Sequence, residues 1–135
     1  MKKLIVIIVF ALGATLALGG GNETQKYQNL MAKTGGQMRA LRSSFQANNR
    51  RGTIKAASEL EKIFRQSGKF WAGRKTDDAV KWSKDAQDAA REIVAFEKKG
   101  EDDKAAIALK TLSNSCTACH DAHRERISGC SRVLK

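Results

Sequence analysis

The chain contains no proline, and its apolar residues recur at intervals of three and four. Proline breaks or kinks a helix interior, so helices can run uninterrupted in this sequence. Residues three and four apart lie on one face of an α-helix, which is how an amphipathic helix buries its apolar side. Segments of alternating polar and β-branched residues, which would indicate strands, are missing. Beyond its apolar N-terminus, the sequence therefore predicts helix throughout.

Polar or glycine-containing segments divide this region into four amphipathic stretches. The helices are predicted at residues 23–47, 53–65, 76–98 and 101–129. Thr53 and Thr76 are the expected N-caps of the second and third helices, and Gly100 is expected to end the third. Amphipathic helices joined by short turns favour up-and-down packing. We therefore predict an all-α fold, an antiparallel four-helix bundle.

The longest predicted connection, residues 66–75, carries two large aromatic side chains, Phe70 and Trp71. Such side chains bury much apolar surface. We expect them either to tuck into the core or to cover a cofactor.

The segment Cys116-Thr-Ala-Cys119-His120 lies within the predicted fourth helix. Two thiols at this spacing can add to the two vinyl groups of one haem, and the adjacent His then becomes the proximal iron ligand. With the chain's few Cys and His residues, chance produces this string in roughly one sequence in a thousand. The motif predicts one covalent haem c, seated in the core of the bundle and facing a neighbouring helix. A C-x-x-C redox pair and half of a zinc site are the alternatives.

Two further residues lie close to the motif. Together with its cysteines, His123 and Cys130 have some of the spacing of a zinc site. His120 completes the better motif, however, and one helix does not easily surround a tetrahedral ion. We expect His123 to pack at the haem edge, and Cys130 to be exposed as a free thiol or in an intermolecular disulfide.

The N-terminus has the pattern of an export signal. Lys2 and Lys3 precede an apolar run at residues 4–18, and small residues follow it. This run is short for a transmembrane helix, so a signal peptide at residues 1–19 and a haem domain at residues 20–135 are predicted. An uncleaved membrane anchor is the alternative. Because c-type haem is attached outside the cytoplasmic membrane, we expect the protein in the periplasm of a Gram-negative bacterium.

The chain is strongly basic, with a formal net charge of +11 that falls to +9 without Lys2 and Lys3. Such a protein should associate fastest with acidic partners or anionic surfaces. Nucleic acid is not the expected partner, because export removes the protein from it and no groove-reading motif is present. No arrangement of residues indicates an enzyme.

Several stretches resemble cytochrome c′ and the related class II c-type cytochromes. They are WSKDAQDAAREIVAF from Trp82, the following KKGEDDKAAIAL, CTACHDAHR from Cys116, and LMAKTGGQM from Leu30 in the first helix. The most specific part is the C-terminal position of C-x-x-C-H-x-x-x-R, since class I cytochromes c carry the motif near the N-terminus. The resemblance implies a four-helix bundle with haem on Cys116 and Cys119, and often a homodimer formed through the first two helices.

The resemblance also bears on single residues around the haem. It implies His120 as the proximal ligand and places Arg124 near the imidazole or the haem edge. His123 stands where the family often has Tyr or Phe. Residues 27–29 lack the arginine that the family often has shortly before the distal position.

The resemblance puts Met31 at the distal position, opposite His120. A thioether ligand there would make the iron six-coordinate and suit electron transfer, whereas an apolar side chain would leave it open to NO or CO. We predict that Met31 is the distal ligand and that Met38, two turns further along the same stripe, fills the core. The expected function is a periplasmic cytochrome that carries single electrons; the alternative is a five-coordinate cytochrome c′ that binds NO or CO.

Overall fold

The computed structural model describes residues 20–126 and 132–134. Its elements are α1 (Gly20–Gln46), α2 (Arg50–Gly73), α3 (Asp77–Lys99), α4 (Asp102–His123), β1 (Arg124–Arg126) and β2 (Arg132–Leu134). The predicted signal peptide, the predicted end of the fourth helix at Gly129 and Cys130 lie outside the described residues.

Successive helices pack against one another in opposite directions. Tyr27, near the start of α1, contacts Trp71 near the end of α2. Ser67 in the second half of α2 is hydrogen-bonded to Ser83 in the first half of α3, and Asp78 at the start of α3 contacts His123 at the end of α4. The predicted all-α arrangement of four antiparallel helices is confirmed.

The turn between α1 and α2 is set by two asparagines. Asn48 adopts a left-handed conformation with φ of 52°, and the Asn49 side chain accepts a hydrogen bond from the Gly52 amide at 3.0 Å. Asn49 is therefore the N-cap of α2, in place of Thr53. Thr53 is buried inside the first turn, where its hydroxyl donates to the Asn49 carbonyl. Gly100 ends α3 in the left-handed conformation, as predicted.

The predicted connection at residues 66–75 is wrong, because α2 continues to Gly73. Ser67 and Trp71 extend the buried stripe of this helix, and both are almost fully enclosed. Gly68 would ordinarily weaken a helix by about 1 kcal/mol relative to alanine. Here it lies against α3, where an added Cβ would be 3.7 Å from the Cβ of Ser83. Burial of the neighbouring side chains outweighs the local preference of glycine. Trp71 thus packs in the core, as expected, but from a helix.

The C-terminal end of α4 also differs from the prediction. The helix ends at His123, and Arg124–Arg126 pairs with Arg132–Leu134 as an antiparallel two-stranded sheet. Each strand has three residues, too few for an alternating pattern to be recognised in the sequence.

Each helix contributes to the core that holds the bundle together. Leu41, Leu60, Ile93 and Leu112, one from each helix, are fully buried. Alanines on the inner faces of α2, α3 and α4 let the helices approach closely; they are Ala56, Ala57, Ala86, Ala89, Ala90 and Ala108. Among the described residues, no helix combines the length and the apolar character needed to cross a membrane.

Replacement of Leu60 by alanine should destabilise the protein by about 2–5 kcal/mol, because it removes buried methyl groups and leaves a cavity. Ile107→Ala is the matched control, since this side chain is 67% exposed and its removal should change stability by no more than about 0.5 kcal/mol. Urea unfolding followed by circular dichroism measures both. Equal losses in the two variants would contradict this packing.

Candidate functional site

A cavity of about 340 Å³ opens between α1 and α4. These two helices approach each other less closely than the successive pairs do. The wall on α1 includes Tyr27, Met31, Thr34, Met38 and Arg42. The wall on α4 includes Ser115, Cys116, Cys119 and His120, and Arg124 follows directly after this helix. The lining residues on α2 and α3 are Phe64, Ser67, Trp82, Ser83 and Ala86. Its volume lies within the range of ligand and cofactor sites, about 300–1,000 Å³.

The three residues of the C-x-x-C-H motif share one wall because of helical geometry. Positions i, i+3 and i+4 lie on the same face of a helix. On α4 this face begins as core, with Ala105, Ala108 and Leu112 buried, and continues as Cys116, Cys119 and His120. The structure therefore brings the predicted motif residues together at the point where the core gives way to the cavity.

Burial raises the pKa of both motif thiols to about 11. For Cys116 the positive charge of Arg42 acts in the opposite direction. For Cys119 the neighbouring Cys116 and Asp78 raise the pKa further. Both side chains are therefore protonated thiols at neutral pH.

Arg124 lies beside His120, which precedes it by four residues on the chain. Its Nη1 donates to His120 Nδ1 at 3.4 Å, and both side chains are partly buried and line the cavity. Because this contact engages Nδ1, a bond from the ring to a metal would come from Nε2.

Both methionines of the described chain line the cavity opposite the motif. Met31 is partly buried and packs against the buried cluster of Tyr27, Trp71 and Ala79. Met38 is buried in the main core, which Cys116 also contacts. The predicted distal residue thus lies at the cavity. Met38, which the sequence assigned to the core, fills the core and lines the cavity as well.

A buried polar network forms part of the cavity wall. Trp71 Nε1 donates to the Tyr27 hydroxyl at 2.8 Å, and the Ser67 hydroxyl lies 3.4 Å from that of Tyr27 and 2.9 Å from that of Ser83. Burial raises the pKa of Tyr27 above its usual value of 10. The phenol is therefore neutral, and the hydroxyls satisfy one another without bringing a charge into the cavity.

Sequence reasoning missed Arg42. It follows Met38 by four residues on α1, so it continues the stripe that lines the cavity. Its Nη2 donates to the Ser113 hydroxyl at 3.3 Å and so links α1 to α4. Arg42 and Arg124 are the arginines among the residues that line the cavity.

His123 lies beside the cavity and does not line it. Its Nε2 is 3.1 Å from both carboxylate oxygens of Asp78, and its ring contacts those of Trp71 and Trp82 at 5.0 and 6.0 Å. Trp82, whose ring the His123 ring contacts, does line the cavity. Within the described ranges, no three His, Cys, Asp or Glu side chains cluster as a metal site.

No protein-family model matches the chain, and no curated protein matches its sequence. The resemblance to class II c-type cytochromes therefore stays a prediction from the motif and the stretches quoted above.

Before any cofactor is attached, Cys116 and Cys119 should react slowly with iodoacetamide at pH 8. A pKa of about 11 in place of 9.0 leaves about 100-fold less thiolate, which is the reactive form. The rate is measured by mass spectrometry of the tryptic peptide 111–124, which contains these two cysteines alone. The same peptide modified in guanidinium chloride is the control, and equal rates in folded and unfolded protein would contradict the burial of the thiols.

Proposed function

We propose that this chain is a c-type cytochrome that carries single electrons, with one haem c bound through Cys116, Cys119 and His120. One observation carries the proposal: the C-x-x-C-H motif forms a wall of a cavity between α1 and α4. A motif on a solvated helix face would have argued against a cofactor held inside the bundle. Cofactor sites in four-helix bundles are commonly built between facing helices.

The residues at the cavity fit this group chemically. Two thiols are available for thioether bonds, an imidazole for the proximal position, and a thioether sulfur on the opposite wall. Most of the remaining lining is apolar or neutral, which suits a flat and mostly apolar macrocycle. When bound, haem supplies an Fe(III)/Fe(II) couple that accepts or releases one electron.

Arginines at the cavity would balance the carboxylates of the cofactor. Arg42 and Arg124 both line the cavity, and a guanidinium group binds a carboxylate through two parallel hydrogen bonds. Arg42 is exposed, so it can reach a carboxylate at the cavity mouth while its stem stays on α1. Arg124 in addition holds the His120 ring at Nδ1.

The proposed distal residue is Met31. It lies on the α1 wall, opposite the α4 wall that carries His120. Ligation by Met and His raises the reduction potential of a c-type cytochrome, and a sixth protein ligand suits electron transfer.

The proposal includes export and an acidic redox partner. Residues 1–19 have the pattern of a signal peptide, and attachment of haem c takes place outside the cytoplasmic membrane. The formal net charge of +9 without Lys2 and Lys3 favours association with acidic proteins.

When the full chain is expressed together with a c-haem assembly system, the protein should carry one haem that survives acid–acetone extraction. The thioether bonds are covalent, so intact-mass spectrometry should show the added mass of one haem. A variant with both Cys116 and Cys119 changed to serine is the control and should lose the cofactor on extraction. A haem-free mass for the unmodified chain would contradict the proposal.

Replacement of Met31 by alanine should convert a low-spin absorption spectrum to a high-spin one and lower the reduction potential, because the iron loses a sulfur ligand. Met38→Ala is the matched control: it should leave the spectrum low-spin and cost about 2–5 kcal/mol of stability, since Met38 is buried. Absorption spectra and potentiometry distinguish the two. If the unmodified protein is high-spin in both oxidation states, Met31 is a packing residue and binding of NO or CO becomes the better function.

A further inference from the structure

We propose that a basic groove between α1 and α2 docks an acidic segment of the redox partner. The groove has a volume of about 540 Å³. Its exposed charged lining residues, Lys26, Lys33, Lys69 and Glu23, form what we call the rim, and the partly buried Leu30 and Phe70 form the floor. This inference rests on the proposed function in one respect, namely that the partner is a one-electron carrier. The groove is separate from the cavity of the C-x-x-C-H motif, although the two share one residue.

The rim of the basic groove carries an excess of positive charge. Lys26 pairs with Glu23, and Lys33 lies 3.8 Å from a carboxylate oxygen of Glu59. Lys69 forms no ion pair with another side chain in the described part of the protein. Exposed ion pairs of this kind contribute little to stability, so a partner's carboxylates can replace them at small cost.

The floor of the groove adds an apolar contact. Leu30 and Phe70 are partly buried, and the Arg74 guanidinium lies over the Phe70 ring at 4.5 Å from its centroid. An apolar centre with a charged rim is the usual arrangement of a protein docking surface. A concave groove receives a protruding segment of a protein, whereas a membrane surface would meet only its rim.

The resemblance to class II c-type cytochromes implies a homodimer through the first two helices, but charge argues against a second copy of this chain in the groove. A two-fold dimer places the same patch on itself. The three rim lysines would then face the same lysines of the other copy, and like charges brought together disfavour association. An acidic partner supplies the complementary charge.

The position of the basic groove connects docking to electron transfer. Tyr27 lines both the groove and the cavity of the C-x-x-C-H motif. On the groove side, the Phe70 ring stacks on Tyr27 with centroids 4.1 Å apart. A partner seated in the groove is therefore separated from the cavity by a thin aromatic wall. Electron tunnelling slows steeply with distance, so this is a favourable place for one electron to cross, with no bond formed and no proton moved.

The test measures binding of a synthetic hexaglutamate peptide to the haem-loaded protein at low ionic strength, by isothermal titration calorimetry. The groove variant is Lys33→Glu with Lys69→Glu. The matched control is Lys84→Glu with Lys110→Glu, which makes the same change in net charge on α3 and α4. Lys84 pairs with an acidic residue as Lys33 does, and all four lysines are exposed. The groove variant should bind about tenfold more weakly than the control variant.

Equal weakening in the two variants would overturn the proposal, because net charge alone would then explain the binding. A groove-dependent dimer in analytical ultracentrifugation would overturn it in favour of a second copy. Groove-dependent binding to phosphatidylserine vesicles, with no groove preference for the peptide, would overturn it in favour of a membrane. The haem content of each preparation is measured separately. Protein that lacks covalent haem yet prefers the peptide in the groove would contradict the proposed function and leave the docking surface standing.

Discussion

The hydrogen bond between Trp71 and Tyr27 organises the end of the bundle that contains the cavity. It joins α1 to α2 across 44 residues of sequence, and the hydroxyls of Ser67 and Ser83 extend the network to α3. Buried polar groups are costly unless they are paired, and here each is paired with another. Three helices are thereby fixed around one side of the cavity, and α4 closes it with the face that carries the C-x-x-C-H motif.

The two ends of the bundle differ in the charge of the side chains in their interiors. At the cavity end the interior is neutral, with protonated thiols and a neutral phenol, and positive charge comes from Arg42 and Arg124. At the other end Glu97 is buried, and Arg50 approaches both it and Asp102. Burial raises the pKa of Glu97, while Arg50 acts in the opposite direction. The far end is thus tied together by ionic contacts, and the cavity end by hydrogen bonds between neutral side chains.

The proposed function joins features that lie on different helices. The motif belongs to α4, the candidate distal methionine to α1, and the aromatic wall that separates cavity and basic groove to α1 and α2. A cofactor held in this cavity would be enclosed by packed helices on three sides. A partner docked on α1 and α2 would still lie close to it, because Tyr27 faces both spaces.

The sequence by itself determined the helical class, the number of helices and the wall formed by Cys116, Cys119 and His120. These follow from local rules, since the 3.6-residue period places positions i, i+3 and i+4 on one face whatever surrounds the helix. Met31 could also be placed on the cavity side, because it lies on the inward stripe of α1.

Only the tertiary structure decided that α2 continues through Gly68 to Gly73, that Asn49 caps it, and that Arg42 lines the cavity. It also decided that His123 bonds to Asp78 between two tryptophans. Each of these depends on which side chains from distant parts of the chain come into contact. Burial against a neighbouring helix can outweigh a local helix propensity that is unfavourable by about 1 kcal/mol. The periodic pattern of apolar residues in the sequence does not show which helix will be that neighbour.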